Sequence, residues 1–369
     1  MTTTAALFCV AAVTLAPAAP AQADQIRNNQ WHLESLKVAD AHQISQGEGV
    51  TVAVIDTGVT AHLDLRNNVL PGVDLTTGGS SDGREDQDGH GTGMAGLIAA
   101  HGRNASDGAL GIAPKAKILP VRYARTGRIN ENYGDSLAAG IEWAVSHGAK
   151  VISISWSGGS SARLGRAVTA AIAADIVVVA GAGNRPDSYA VGFPAMYEGV
   201  VAVGATDRSG KLGKASVTGK AMVITAPGED IFSTGLAGRY RKGTGTSDAT
   251  AIVSGAVALI RSKYPDLSAK EVIHRLTATA TDKGAPGRDP EYGYGVLDLV
   301  AALTADVPPL DDEANASAAP TPSAGGTAVP MPHVSGSKTT TLLITLGALI
   351  VIGVVITLLV VRSRRRQGT

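Results

Sequence analysis

Cysteine is almost missing from this chain. Cys9 is the only one among 369 residues, so no disulfide can form within the chain and the fold must be held by packing. Lys+Arg and Asp+Glu balance at 32 each, and without a basic surface nothing points to nucleic acid as a partner. Aromatic residues are sparse at 4%. Asp56-Thr57-Gly58 has no second Asp-Thr-Gly or Asp-Ser-Gly to share a proton with, which argues against a carboxylate dyad. Ser247 is followed by Asp248-Ala249, so it does not sit in a Gly-x-Ser-x-Gly elbow, and an α/β-hydrolase is not supported. No Asp-rich run has the spacing of a calcium loop, and nothing calls for a metal or another cofactor.

What is present begins with 45 glycines, suited to a fold of tight turns, and with two distinctive ends. Residues 5–16 are mostly apolar and precede Ala21-Gln22-Ala23, the pattern of a secretory leader cleaved after residue 23. Cys9 lies inside that segment. Residues 339–361 carry no charge, and Arg362, Arg364, Arg365 and Arg366 follow at once. Twenty helical residues span about 30 Å, the thickness of a bilayer core. The expectation is a transmembrane helix over 340–361 with a cytoplasmic basic tail at 362–369, leaving the globular part outside the cell membrane. Between them, residues 307–339 hold six prolines among Ala, Ser, Thr and Gly and read as an extended stalk.

That leaves residues 24–306 for one globular domain. Apolar, β-branched runs at 50–55, 117–121, 151–155, 176–180, 200–204 and 222–225 read as strands covered on both faces. Helical patterns at 135–147 and 163–173 lie between some of them. Alternation of this kind predicts an α/β fold with a mainly parallel sheet and a site at the carboxyl ends of the strands.

Three short motifs carry chemistry. Asp56 ends the first strand run. His90 opens the small-residue helix His90-Gly91-Thr92-Gly93, and Ser247 stands at the start of an apolar helical run from Ala249 to Ile260. A serine hydroxyl is a weak nucleophile until an imidazole can take its proton, and the imidazole needs a carboxylate to fix its tautomer. Ser247 at a helix start also sits where free N–H groups favour developing negative charge. Asn184, after the strand run ending in Gly181-Ala182-Gly183, can donate its amide to an oxyanion. Asp82-Gly83-Arg84-Glu85-Asp86-Gln87-Asp88 reads as a solvated acidic loop before His90.

Taken together, residues 50–62, His90-Gly91-Thr92, 181–184 and Gly245-Thr246-Ser247 resemble the signatures of subtilisin-like serine proteases, in the chain order Asp, His, Ser. Gly111-Ile112-Ala113-Pro114, Phe193-Pro194-Ala195, Ala226-Pro227-Gly228 and Gly293-Tyr294-Gly295 extend the resemblance over about 30–303. It implies a three-layer subtilisin-like fold, Ser247 as nucleophile, His90 as general base and acid, Asp56 as its orienter, and Asn184 as oxyanion donor. It also implies that Ser155-Trp156-Ser157 and Gly181-Ala182-Gly183 bind a protein or peptide substrate, the former as an added strand. Ala251 and Asp248 depart from the family, which usually has Pro at the first position and Met or a small residue at the second. Many subtilases bind calcium, which the resemblance leaves open. The layout of leader, domain, stalk and single helix resembles the mycosins, membrane proteases of type VII secretion systems, and implies such a secretion complex as partner. The 32 residues between Ala23 and Asp56 leave no room for a large folding propeptide, so the mature domain is expected to start near Gln30-Trp31-His32-Leu33.

Overall fold

Runs of Val and Ile too short for helices become strands that bury both faces. The structure is a computed structural model and describes residues 23–76, 79–104, 106–124 and 133–310. The first part comprises α1 (Ala23–Asn29), α2 (Trp31–Ser35), α3 (Val38–His42), β1 (Thr51–Asp56), β2 (Val73–Asp74), α4 (His90–Ala99), β3 (Lys117–Arg122) and α5 (Tyr133–Ser146). Then follow β4 (Val151–Ile154), α6 (Ala162–Ala173), β5 (Val177–Gly181), β6 (Val201–Thr206), β7 (Ile224–Pro227), β8 (Ile231–Thr234) and β9 (Tyr240–Gly243). The last helices are α7 (Thr246–Lys263), α8 (Ala269–Ala278) and α9 (Leu299–Thr304).

Among the described residues β1 to β7 form one sheet in the order β2-β3-β1-β4-β5-β6-β7, with every pairing parallel. Side chains alternate between its faces. Val52, Val54, Val177, Val179, Val201 and Val203 pack with α4 and α7, whereas Ala53, Ile55, Val178, Ala180 and Ala202 pack with α5 and α6. This is the expected three-layer α/β arrangement, and all six strand runs read from the sequence are strands. The β8–β9 hairpin pairs separately and antiparallel, and was not among them.

Helix starts follow local chemistry. Ser161, Ser268 and Asp298 cap α6, α8 and α9 by accepting from Leu164 N, Glu271 N and Ala301 N. Helix α7 is buried on nearly every face, so its 18 residues form the central rod of one layer. Among the described residues no helix is long and apolar enough to cross a membrane. The leader up to residue 22, the stalk beyond residue 310, the transmembrane segment and the basic tail lie outside the described residues.

One histidine stores pH dependence in the core. His32 of α2 is 0% exposed, and neither ring nitrogen has a hydrogen-bond partner among the described residues. Burial pushes its pKa down to about 3. The ring is therefore neutral in the fold, while in the unfolded chain it takes a proton below about pH 6.5. Its stabilising share is fully present above that pH and is lost as pH falls toward 3. His32→Leu is expected to flatten the fall in melting temperature between about pH 6.5 and pH 4. An unchanged slope in thermal unfolding would contradict this account.

Candidate active site

The parallel sheet delivers Asp56 as the last residue of β1, and α4 begins with His90. His90 Nδ1 lies 2.8 Å from Asp56 Oδ1 and 3.0 Å from Oδ2. A carboxylate only accepts, so Nδ1 carries the proton and donates, which leaves Nε2 as the basic nitrogen. Asp56 is buried at 4% exposure, while 27% of the His90 side chain opens to solvent. Burial disfavours the imidazolium, but the Asp56 charge and its hydrogen bond outweigh that and raise the His90 pKa to about 9.

Residues between the two motifs fix that approach. At Gly91 a Cβ would collide with the Gly58 carbonyl and stand 3.1 Å from Asp56 Cβ, so only glycine lets α4 come this close. The acidic loop before His90 is not simply solvated. Asp86 is buried at 9% exposure and gathers the backbone N–H groups of Asp88, Gly89 and Thr92 together with the Thr57 and Thr92 hydroxyls, at 2.7–3.0 Å. It thus caps the amino end of α4 and ties it to the turn after Asp56. Thr57 Oγ1 in turn accepts from Gly91 N at 3.0 Å. The overlooked signal was position: a carboxylate a few residues before a helix start is a capping candidate. Arg84 does remain exposed as expected, and Asp82, paired with it, is half-buried.

Ser247 is the second residue of α7 and half-buried. Its Oγ donates to the Ser155 carbonyl at 3.1 Å, and Ser155 Oγ donates back to the Ser247 carbonyl at 3.0 Å. No hydrogen bond joins Ser247 to His90 among the described residues; such bonds are often long in free enzymes and tighten with substrate. Asn184 follows β5, and its Oδ1 accepts from Thr246 N, one residue before Ser247, at 2.9 Å, which leaves its amide NH2 as the donor end. The two segments expected to bind substrate also converge here. Ser157 Oγ donates to the Ala182 carbonyl at 3.2 Å, Gly183 N donates to Thr246 Oγ1 at 3.3 Å, and Gly181 packs beside Thr246 and Thr250. Trp156 is half-buried, its ring edge-on to Tyr123 at 6.5 Å. Among the described residues no group of three or more His, Cys, Asp or Glu side chains converges as a metal site.

A buried carboxylate, an imidazole with a free Nε2, a hydroxyl at a helix amino end and an amide donor are the parts of a serine hydrolase. The profile of the subtilase family matches residues 47–295, and the chain belongs to that family of serine endopeptidases. It is 39% identical over 262 residues to subtilisin DY of Bacillus licheniformis, covering 70% of this chain and 92% of the relative. Among solved structures it is similar to MycP1 from Mycobacterium smegmatis, at 31% identity and a TM-score of 0.68 over 75% of this chain and 85% of that one. MycP3 protease from the type VII (ESX-3) secretion system has 35% identity and a TM-score of 0.65, over 75% and 88%. A chain of an intact ESX-5 inner membrane complex has 32% identity and a TM-score of 0.67, over 89% of each chain.

The Asp86 cap carries its own test. Asp86→Ala strands three backbone N–H groups at the start of α4 and is expected to cost about 2–4 kcal/mol of stability. Urea unfolding measures this. A loss under about 0.5 kcal/mol, the range of an ordinary surface change, would remove Asp86 from the site's support.

Proposed function

We propose that Asp56, His90 and Ser247 act as a catalytic triad with Asn184 as oxyanion donor. The observation that carries the reading is the hydrogen bond from His90 to Asp56, which frees Nε2 to face a nucleophile. Ser247 Oγ would leave the Ser155 carbonyl, attack the scissile carbonyl carbon and pass its proton to His90 Nε2. The negative oxygen that forms is then met by the Asn184 amide and the positive amino end of α7. His90 returns the proton to the departing amine, and the acyl-enzyme is hydrolysed by a water that His90 activates. Ser155-Trp156-Ser157 and Gly181-Ala182-Gly183 line the path of a peptide, which pairs with them as an extended strand.

We further propose that this endopeptidase is tethered to the cell membrane by residues 340–361, with the domain held outside on the 307–339 stalk. In that setting it processes proteins of, or exported by, a type VII secretion system. The mycosin-type relatives and the uncharged segment followed by four arginines support this reading. A second reading treats the domain as a scaffolding subunit of the secretion complex, with cleavage secondary. The similarity to a chain of the ESX-5 inner membrane complex favours keeping it.

Labelling with a fluorophosphonate probe separates the readings. Wild type is expected to label at Ser247 and Ser247→Ala not at all, with peptide hydrolysis falling on the order of 10⁶-fold. Equal labelling of both proteins would end the triad assignment. Secretion that persists with Ser247→Ala but fails on deletion of the domain would favour the scaffold.

A further inference from the structure

An ion pair that the triad does not use lies between the helix of His90 and the helix of Ser247. Asp248 follows the nucleophile directly and is 2% exposed. Its partner is Arg241 of β9, whose Nη1 donates to Asp248 Oδ1 at 3.2 Å. Two glycines make the space. A Cβ at Gly93 of α4 would stand 2.6 Å from Arg241 Cδ and Nη1, and one at Gly243 of β9 would stand 2.6 Å from both Asp248 carboxylate oxygens. The hairpin is also fastened to α4: Ser233 Oγ and Thr234 Oγ1 each donate at 2.7 Å, to the Gly93 and Thr92 carbonyls. Arg241 therefore wedges between α4 and α7 from a hairpin bound to one of them.

A buried carboxylate in this place is a chemical difficulty. The amino end of α7 must receive the negative oxygen of the reacting carbonyl, and an uncompensated charge on the residue after Ser247 opposes that. Arg241 keeps 25% of its side chain exposed but Asp248 does not, so removing Arg241 would leave a buried charge unpaired, which costs more than the pair itself contributes. We propose that Arg241 and Asp248 are a positioning pair, in which Arg241 neutralises the carboxylate beside the nucleophile, fixes α4 against α7 and sets the charge around His90. The pair goes beyond the triad but rests on the triad reading.

Three charged side chains act on His90: Asp56 from β1, Arg241 from β9 and Asp248 from α7. Asp56 dominates, Arg241 pulls the imidazole pKa down, and Asp248 pushes it up. Burial raises the Asp248 carboxyl itself, against the pull of Arg241 and His90. Loss of the Asp248 charge should thus make His90 a base at lower pH, and loss of Arg241 should leave an opposing charge at the oxyanion site.

The second-order rate of fluorophosphonate inactivation against pH tests this without knowledge of the natural substrate. Asp248→Asn is expected to move the rising limb down by about half a pH unit. Arg241→Gln is expected to slow the reaction about tenfold, and adding Asp248→Asn to it should restore most of that loss. A limb and rate unchanged in both single variants, even with a lowered melting temperature, would reduce the pair to a structural contact and overturn the proposal. Should Arg241→Gln not fold, Asp248→Asn decides alone: a moved limb supports the pair and an unmoved one overturns it. Wild-type labelling by Ser247→Ala would instead fail the triad reading.

Discussion

Asp56 and His90 are 34 residues apart in the chain, yet their side chains meet at 2.8 Å. Most of the site's architecture serves that meeting. The carboxylate is delivered by a strand buried on both faces, so it arrives desolvated and with little freedom. The imidazole arrives at the first turn of α4, where Gly91 lets the backbone come close and Asp86 satisfies the free N–H groups. Displacing either element breaks a charge-assisted hydrogen bond and strands a buried carboxylate, a penalty of several kcal/mol. Stability and chemistry therefore pull on the same contact. The raised His90 pKa stabilises the fold fully below about pH 6.5, and that share is lost as pH rises through about 9. The neutral ring that the proposed proton transfer needs gains over the same interval, so His90 contributes least to stability where most of it is free base.

The proposed nucleophile is held more loosely than its proposed base. Ser247 rests on the Ser155 carbonyl, and the proposed triad requires it to leave that carbonyl for His90 Nε2. Around it, the end of β5, the segment after β4 and the start of α7 are stitched by hydrogen bonds through Thr246, Ser155 and Ser157. These links preorganise the backbone, while the Ser247 hydroxyl is held by its hydrogen bond to the Ser155 carbonyl, which suits a group that the proposed reaction must release. The hairpin of β8 and β9 closes the arrangement from the opposite side by gripping α4 and, through Arg241, α7.

How much of this could be read from residues alone follows from where each signal resides. The strands of the sheet were legible because continuous Val and Ile runs mean burial on both faces, and only their ends moved by one or two positions. Strand β2, at two residues, was too short to carry a pattern, and the hairpin of Ile231–Thr234 and Tyr240–Gly243 lacked a clean apolar alternation. Asp56 and His90 stood out because small residues flank them. Asp86 did not, since an acidic run looks the same whether its carboxylates face water or a helix end; only the fold reveals that one of them turns inward. Asp248 was visible as an odd residue beside Ser247, but its partner seven positions earlier needed the hairpin to bring it there.

The central claim is that the Asp56–His90 hydrogen bond sets the proton chemistry of the site. Proton NMR of the His90 Nδ1–H, assigned with Asp56→Asn as control, measures it directly. The account predicts a strongly deshielded proton whose titration has its midpoint near the raised value of about 9, and which disappears in Asp56→Asn. A ring that titrates near 6.5 in both proteins, with no such resonance in either, would contradict it.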